Sequence, residues 1–277
     1  MKKRLEVGIY LSCLGIEDPL EALKKVKEMG FRVIQLGMES FSEDREKRKV
    51  LKETLKEIKL KVVTFFAGFS GADWTDISTI RKTVGFADEK RLREKIELSK
   101  KVADLASEIG VEAMAAHIGF IPEDRNSSLY KKMLSAAGEV IDHCQKKGIY
   151  FAFETGQETP EELLAFIRKL NRKNARVNFD TANLILYGKG HPLPGIRVLN
   201  DYIISVHAKD GLWPEEKNKL GKEVPLGEGE ANIKECVKEL IKVGYQGPLI
   251  IEREAGEDRI GDILRAKEYL ENITDEI

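Results

Sequence analysis

YFAFE (150–154), RVNFD (176–180), IISVH (203–207) and LIIE (249–252) are four short apolar runs, each ending on an acid or an imidazole. Their β-branched and aromatic content, their length and the turn residues around them mark buried strands. Glu154, Asp180, His207 and Glu252 therefore stand where strands stop. Any one of them has an ordinary explanation. Asp180 before Thr-Ala-Asn-Leu suits a helix N-cap, and Glu252 has Arg253 and Arg259 nearby as ion-pair partners. What matters is that four consecutive strands end this way. If the strands are parallel and adjacent, their ends lie about 5 Å apart and the four side chains converge. Three carboxylates and one imidazole around a point make an oxygen-rich site for a divalent cation.

Working outward, strand and helix signals alternate along the chain. Strands are expected at LEVGIYLS (from Leu5), FRVIQLG (31–37), KVVTFFAG (61–68) and VEAMAAHIG (111–119), ahead of the four runs above. Helical patterns follow each: 18–30, with Asp18 as N-cap, Pro19 at the first position and Gly30 as stop; 43–59; 89–109; 127–148; 159–170; a short pair around 182–188 and 194–200; 232–244; and 261–273. Repeated strand–helix units mean parallel strands with helices outside, and eight of them in 277 residues mean one (β/α)₈ TIM barrel over residues 1–277. The competing doubly wound sheet would open on a Gly-rich turn, and GIYLSCLG is not GxGxxG. Two segments read as long loops at the C-terminal mouth, 68–88 and 207–232, with Phe66, Phe69, Trp74 and Trp213 as an apolar wall or as loop anchors.

Composition narrows the function. Lys+Arg of 46 against Asp+Glu of 47 provides no net basic charge for nucleic acid. Cys13, Cys144 and Cys236 are odd in number and scattered, so no disulfide framework is expected, and Cys144 and Cys236 read as small core residues. The start, MKKRLEVGIYLSCLG, is broken by Glu6 and reads as the first strand rather than a signal peptide. No run reaches the length of a membrane span. The expectation is a cytoplasmic enzyme with a small-molecule substrate and no nucleic-acid or membrane partner. Assembly into a homo-oligomer, dimer or tetramer, is compatible with this reading.

An oxygen-rich cation site with open positions suits carbonyl chemistry. A hydroxy-ketone would lose its α-proton to one glutamate and regain a proton from another. Glu154 and Glu252, from the fifth and eighth strands, flank the ligand set as two such bases. The donor set favours Mn²⁺, Mg²⁺ or Co²⁺ over a structural zinc.

FETG, NFDTANL, VHAKD and LIIERE, with PLGEGEANI leading into the helix at 232–244, resemble the xylose-isomerase-like superfamily of barrels. The branch most similar is the sugar (phosphate) isomerase/epimerase group of ketose 3-epimerases, hydroxypyruvate isomerases and inosose dehydratases. The resemblance implies one divalent ion on Glu154, Asp180, His207 and Glu252, most often Mn²⁺, with Mg²⁺, Co²⁺ or Zn²⁺ as alternatives. It also implies proton exchange by Glu154 and Glu252. Substrate contacts are expected from His117, Asn183, Lys209, Trp213 and Arg253. Asn183 replaces the His that ketose 3-epimerases carry three residues after the metal Asp, and Trp213 replaces their Arg six after the metal His, so the substrate contacts are not those of a typical free-ketose 3-epimerase and the substrate stays open. Rival readings are a lyase that loses water from the same enolised substrate, a sugar-binding barrel without catalysis, and an abasic-site endonuclease relative. The endonuclease branch needs more histidines than His117, His143, His191 and His207 supply, since His143 falls in a helix and His191 in a loop.

Overall fold

The computed structural model describes residues 4–216 and 218–277. Met1–Lys3, the basic start of the signal-like stretch, and Lys217, in the second long loop, lie outside the described residues.

The elements run in chain order as β1 (Val7–Tyr10), α1 (Pro19–Glu28), β2 (Val33–Leu36), α2 (Arg45–Glu57), β3 (Lys61–Phe66), α3 (Ile77–Thr83), α4 (Leu92–Ile109), β4 (Ala113–Ala116), α5 (Ser128–Lys146) and β5 (Tyr150–Glu154). There follow α6 (Pro160–Leu170), β6 (Ala175–Asp180), α7 (Asn183–Leu186), α8 (Pro192–Leu199), β7 (Ile203–Ala208), β8 (Asp210–Leu212), β9 (Lys222–Val224), α9 (Ile233–Lys242), β10 (Leu249–Ile251) and α10 (Arg259–Glu276). Eight strands close into a parallel barrel in the order β1-β10-β7-β6-β5-β4-β3-β2. This is the TIM barrel expected from the strand–helix repeat.

Local chemistry explains the boundaries. The Asp18 carboxylate accepts from the Leu20 and Glu21 amides, with Pro19 opening α1. Thr159 and Glu162 form a reciprocal capping box at the start of α6. Gly110 ends α4 at φ 83°, a conformation that costs glycine nothing. The strands are buried along most of their length, because helices cover the outside and packed side chains fill the inside. That is why they read as continuous apolar runs. Phe151, Phe153, Phe166 and Phe179 are fully buried, and the Phe153–Phe166 ring pair ties β5 to α6. No helix among the described residues is long and apolar enough to cross a membrane.

Three expectations are corrected. Residues 68–88 are not a plain loop but carry α3, capped by Asp76, whose carboxylate accepts from the Thr79 amide. Only Ile77 and Ile80 of α3 are buried, too short a period to register in the sequence. Residues 207–232 carry an antiparallel hairpin, β8 with β9, in the register Asp210↔Val224 and Leu212↔Lys222. Its strands are too short to show alternation. Finally, α4 begins at Leu92 rather than near Glu89, because Asp88 turns the chain first, accepting from the Lys90 and Arg91 amides.

Candidate metal centre and active site

β5, β6, β7 and β10 are neighbours in the barrel, and their registers, Glu154↔Asn178, Asp180↔His207 and Ile250↔His207, bring their C-terminal ends level. Glu252 stands one residue beyond β10, its amide still bonded to the Ala208 carbonyl. One donor atom from each of Glu154, Asp180, His207 and Glu252 lies within 4.8 Å of all the others. His207 Nδ1 is 3.0 Å from Glu154 Oε1, 3.4 Å from Glu252 Oε2 and 3.8 Å from Asp180 Oδ2. All four residues are buried.

The outer partners show which atoms are left for a ligand. Asp180 Oδ1 accepts from the amides of Ala182 and Asn183 leading into α7, although the N-cap position itself is Ala182. Its Oδ2 is buried with no donor. Gln35 reaches His207 from β2, and His207 Nε2 donates to Gln35 Oε1 at 2.5 Å. This leaves Nδ1 facing the carboxylates. Asn178 Nδ2 donates to Glu154 Oε2, leaving Glu154 Oε1 facing the cluster. Several electron-pair donors thus point at each other out of water, an arrangement only protons or a cation can hold. Burial pushes Asp180 well up and Glu154 up. Burial works against a charged His207, but Glu154 and Glu252 outweigh it and hold the imidazole well above its usual range. For Glu252 burial is likewise outweighed, by His207 and Lys209, and its carboxyl sits well below the usual range. Proton-hungry ligands, an orphaned Asp180 oxygen and a hard-oxygen set with one nitrogen fit a divalent cation.

Gln35 and Asn178 were not singled out from the sequence, although a signal was there. Each is a polar residue inside an apolar strand run, VIQL and RVNFD, and a buried amide needs a partner. Because Gln35 orients His207 without ligating, Gln35→Leu should weaken metal affinity by roughly 10–100-fold. Calorimetric titration of Mn²⁺ into both proteins measures this, and unchanged affinity would remove Gln35 from the site.

Above the cluster opens a cavity of about 830 Å³. Glu252 reaches its surface, while Glu154, Asp180 and His207 lie behind. Three of the expected contact residues line it: His117, Asn183 and Lys209. His117 directly follows β4, between the rings of Phe66 and Trp74, with Nδ1 buried and unpartnered. Burial pushes its pKa down to about 4, so the ring is neutral. Lys209 Nζ lies 2.9 Å from Glu252 Oε2 and 2.6 Å from Glu254 Oε2.

The other two expected contacts stand elsewhere. Arg253 turns away, as strand alternation dictates, and its guanidinium grips Asp262 at 2.8 Å and Glu223 at 2.7 Å. Trp213 is carried off by the hairpin and is 37% exposed. His143 pairs with Asp104 on the helical surface, and His191 caps α8, as their sequence contexts suggested. Glu223 and Glu254, which do line the cavity, were missed: the hairpin that delivers Glu223 was not legible, and Glu254 lies past the end of β10.

Residues 23–273 match the family described as xylose isomerase-like TIM barrel. The chain belongs to that family. A solved xylose isomerase domain protein from Planctomyces limnophilus is 31% identical and superposes with a TM-score of 0.89, over 100% of this chain and 99% of that one. An L-ribulose-5-phosphate 3-epimerase of Escherichia coli is 22% identical over 98% of this chain and 95% of its own length. An uncharacterized protein of Methanocaldococcus jannaschii is 26% identical over 66% of this chain, and the match spans only 64% of that relative.

Proposed function

We propose that the protein is a divalent-metal-dependent isomerase or epimerase of a small carbohydrate. The observation that carries this reading is the convergence of four donor atoms within 4.8 Å at the floor of an 830 Å³ cavity, with one glutamate of the set opening into it. Support also comes from the family and from the 3-epimerase among its relatives. Glu154, Asp180, His207 and Glu252 would hold the ion, Mn²⁺ by preference, on His207 Nδ1 and one carboxylate oxygen each. When bound, the ion supplies Lewis-acid polarisation of the substrate carbonyl and its neighbouring hydroxyl.

The proton steps fall to the chain's own residues. The Glu252 carboxylate is kept ionised beside His207 and Lys209 and is the one that meets the cavity. It takes the α-proton from the face it touches. Glu154, whose Oε2 is fixed by an N–H of Asn178, is the second carboxyl of the pair and exchanges the proton on the opposite face. Lys209 fixes Glu252 Oε2 in position. The aromatic wall of Phe66, Phe69 and Trp74 limits water around the enolised substrate.

Incubating the Mn²⁺-loaded enzyme in D₂O with ketoses, ketose phosphates and inososes tests the reading. Deuterium should enter one carbon next to a carbonyl, with the mass otherwise unchanged. Product lighter by one water would make the protein a lyase instead. No exchange with any of the three classes would sink the isomerase reading.

A further inference from the structure

The mouth of the barrel differs in charge and in size from what a small sugar phosphate requires. Barrels of this type commonly bind phosphate on backbone amides after their seventh and eighth strands. Here carboxylates of the protein itself occupy several amides of these loops. Asp210, following β7, accepts from the amides of Gly211, Gly227, Gly229 and Ala231. Glu223 accepts from the amides of Glu254 and Ala255, just after β10. The N-terminal amides of α7 are used by Asp180. Among the described residues, Lys209 is the one cationic side chain lining the cavity, and it is already shared by Glu252 at 2.9 Å, Glu254 at 2.6 Å and Glu223 at 3.7 Å. A phosphate dianion would face these carboxylates with no free donor cluster to offset the repulsion.

Size points the same way. If each of the twelve non-hydrogen atoms of a hexose took the roughly 30 Å³ that a water occupies in the liquid, the sugar would fill about 360 Å³. Over half of the 830 Å³ cavity would remain. Its wall carries Phe69, Leu220 and Trp74, the last 43% exposed at the rim. Aromatic faces suit the C–H faces of a sugar ring, and the unpartnered, neutral His117 suits a hydroxyl.

We propose that the substrate is an uncharged two-ring saccharide, a keto-sugar unit over Glu252 with a glycosidically linked ring against Phe69 and Trp74. This rests on the isomerase reading for the chemistry, but not for the fit.

D-Fructose, D-fructose 6-phosphate and isomaltulose differ only in what O6 carries: hydrogen, phosphate or a glucosyl ring. Calorimetric titration of each into the Mn²⁺-loaded protein should find isomaltulose bound at least tenfold tighter than fructose, and fructose 6-phosphate no tighter than fructose. Trp74→Ala should cost isomaltulose at least fivefold more affinity than it costs fructose. Fructose 6-phosphate binding tightest, equal binding of all three, or no binding of isomaltulose overturns the proposal. Deuterium exchange on the same probes separates the two readings. The expected binding order without exchange removes the isomerase and keeps the substrate class; fastest exchange with fructose 6-phosphate does the reverse.

Discussion

Glu252→Gln and Glu154→Gln should each lower turnover by roughly 10²–10⁴-fold, the usual cost of losing a general base. Glutamine keeps a carbonyl oxygen that can face the cation, so metal binding should fall far less than turnover. It cannot accept the substrate proton. The two variants should differ in a second measurement. With one base gone, the other still exchanges the α-proton of its own face with D₂O but cannot invert the carbon. Exchange from one face only in each variant supports an epimerase with two opposed bases. Near-normal turnover in Glu252→Gln would leave Glu154 as the sole proton carrier, despite Glu252 being the glutamate that meets the cavity. A 1,2-isomerase working through a single base would then be the better account. Glu252→Gln also removes one of the carboxylates around Lys209, while Glu254 and Glu223 remain to hold it.

The second large effect concerns His207. His207→Ala removes the only nitrogen of the donor set and should weaken Mn²⁺ binding by more than the roughly 10–100-fold expected of an outer partner such as Gln35. Activity should fall with occupancy. His143→Ala, which loses a surface hydrogen bond to Asp104, and His191→Ala, which loses a helix cap and a bond to the Glu230 carbonyl, should bind Mn²⁺ like the parent. Titrating the metal into all three variants is the test, and equal affinities would place the cation elsewhere. Chelating the metal from the parent should abolish deuterium exchange but leave far-ultraviolet circular dichroism unchanged. The barrel is closed by backbone pairing and apolar packing beneath its mouth, not by the ligands.

The four-residue cluster was legible in the sequence because each member ends a strand that reads as one. YFAFE, RVNFD, IISVH and LIIE carry their own local signal, and parallel pairing of consecutive units then leaves little freedom in where the ends go. Caps such as Asp18 and the Thr159–Glu162 box are equally local. Arg253 marks where this reasoning stops. It was expected to touch the substrate, but it turns away from Glu252 to bind Glu223 and Asp262, partners that no local pattern announces. The β8–β9 hairpin, with three-residue strands, has no period to read.

Sequence alone was thus enough for the barrel and for the convergence of Glu154, Asp180, His207 and Glu252, because both follow from short-range patterns repeated in order. Only the tertiary structure decided how those four side chains are held and which groups line the mouth. Gln35 meets His207 across 172 positions of sequence. The amides after β7 and β10 are closed by Asp210 and Glu223 over gaps of up to 32 residues. The first joins side chains on two different strands, and the others join side chains to backbone amides further along the chain. Hydrogen bonds of that kind depend on loop paths in space, which no local periodicity encodes.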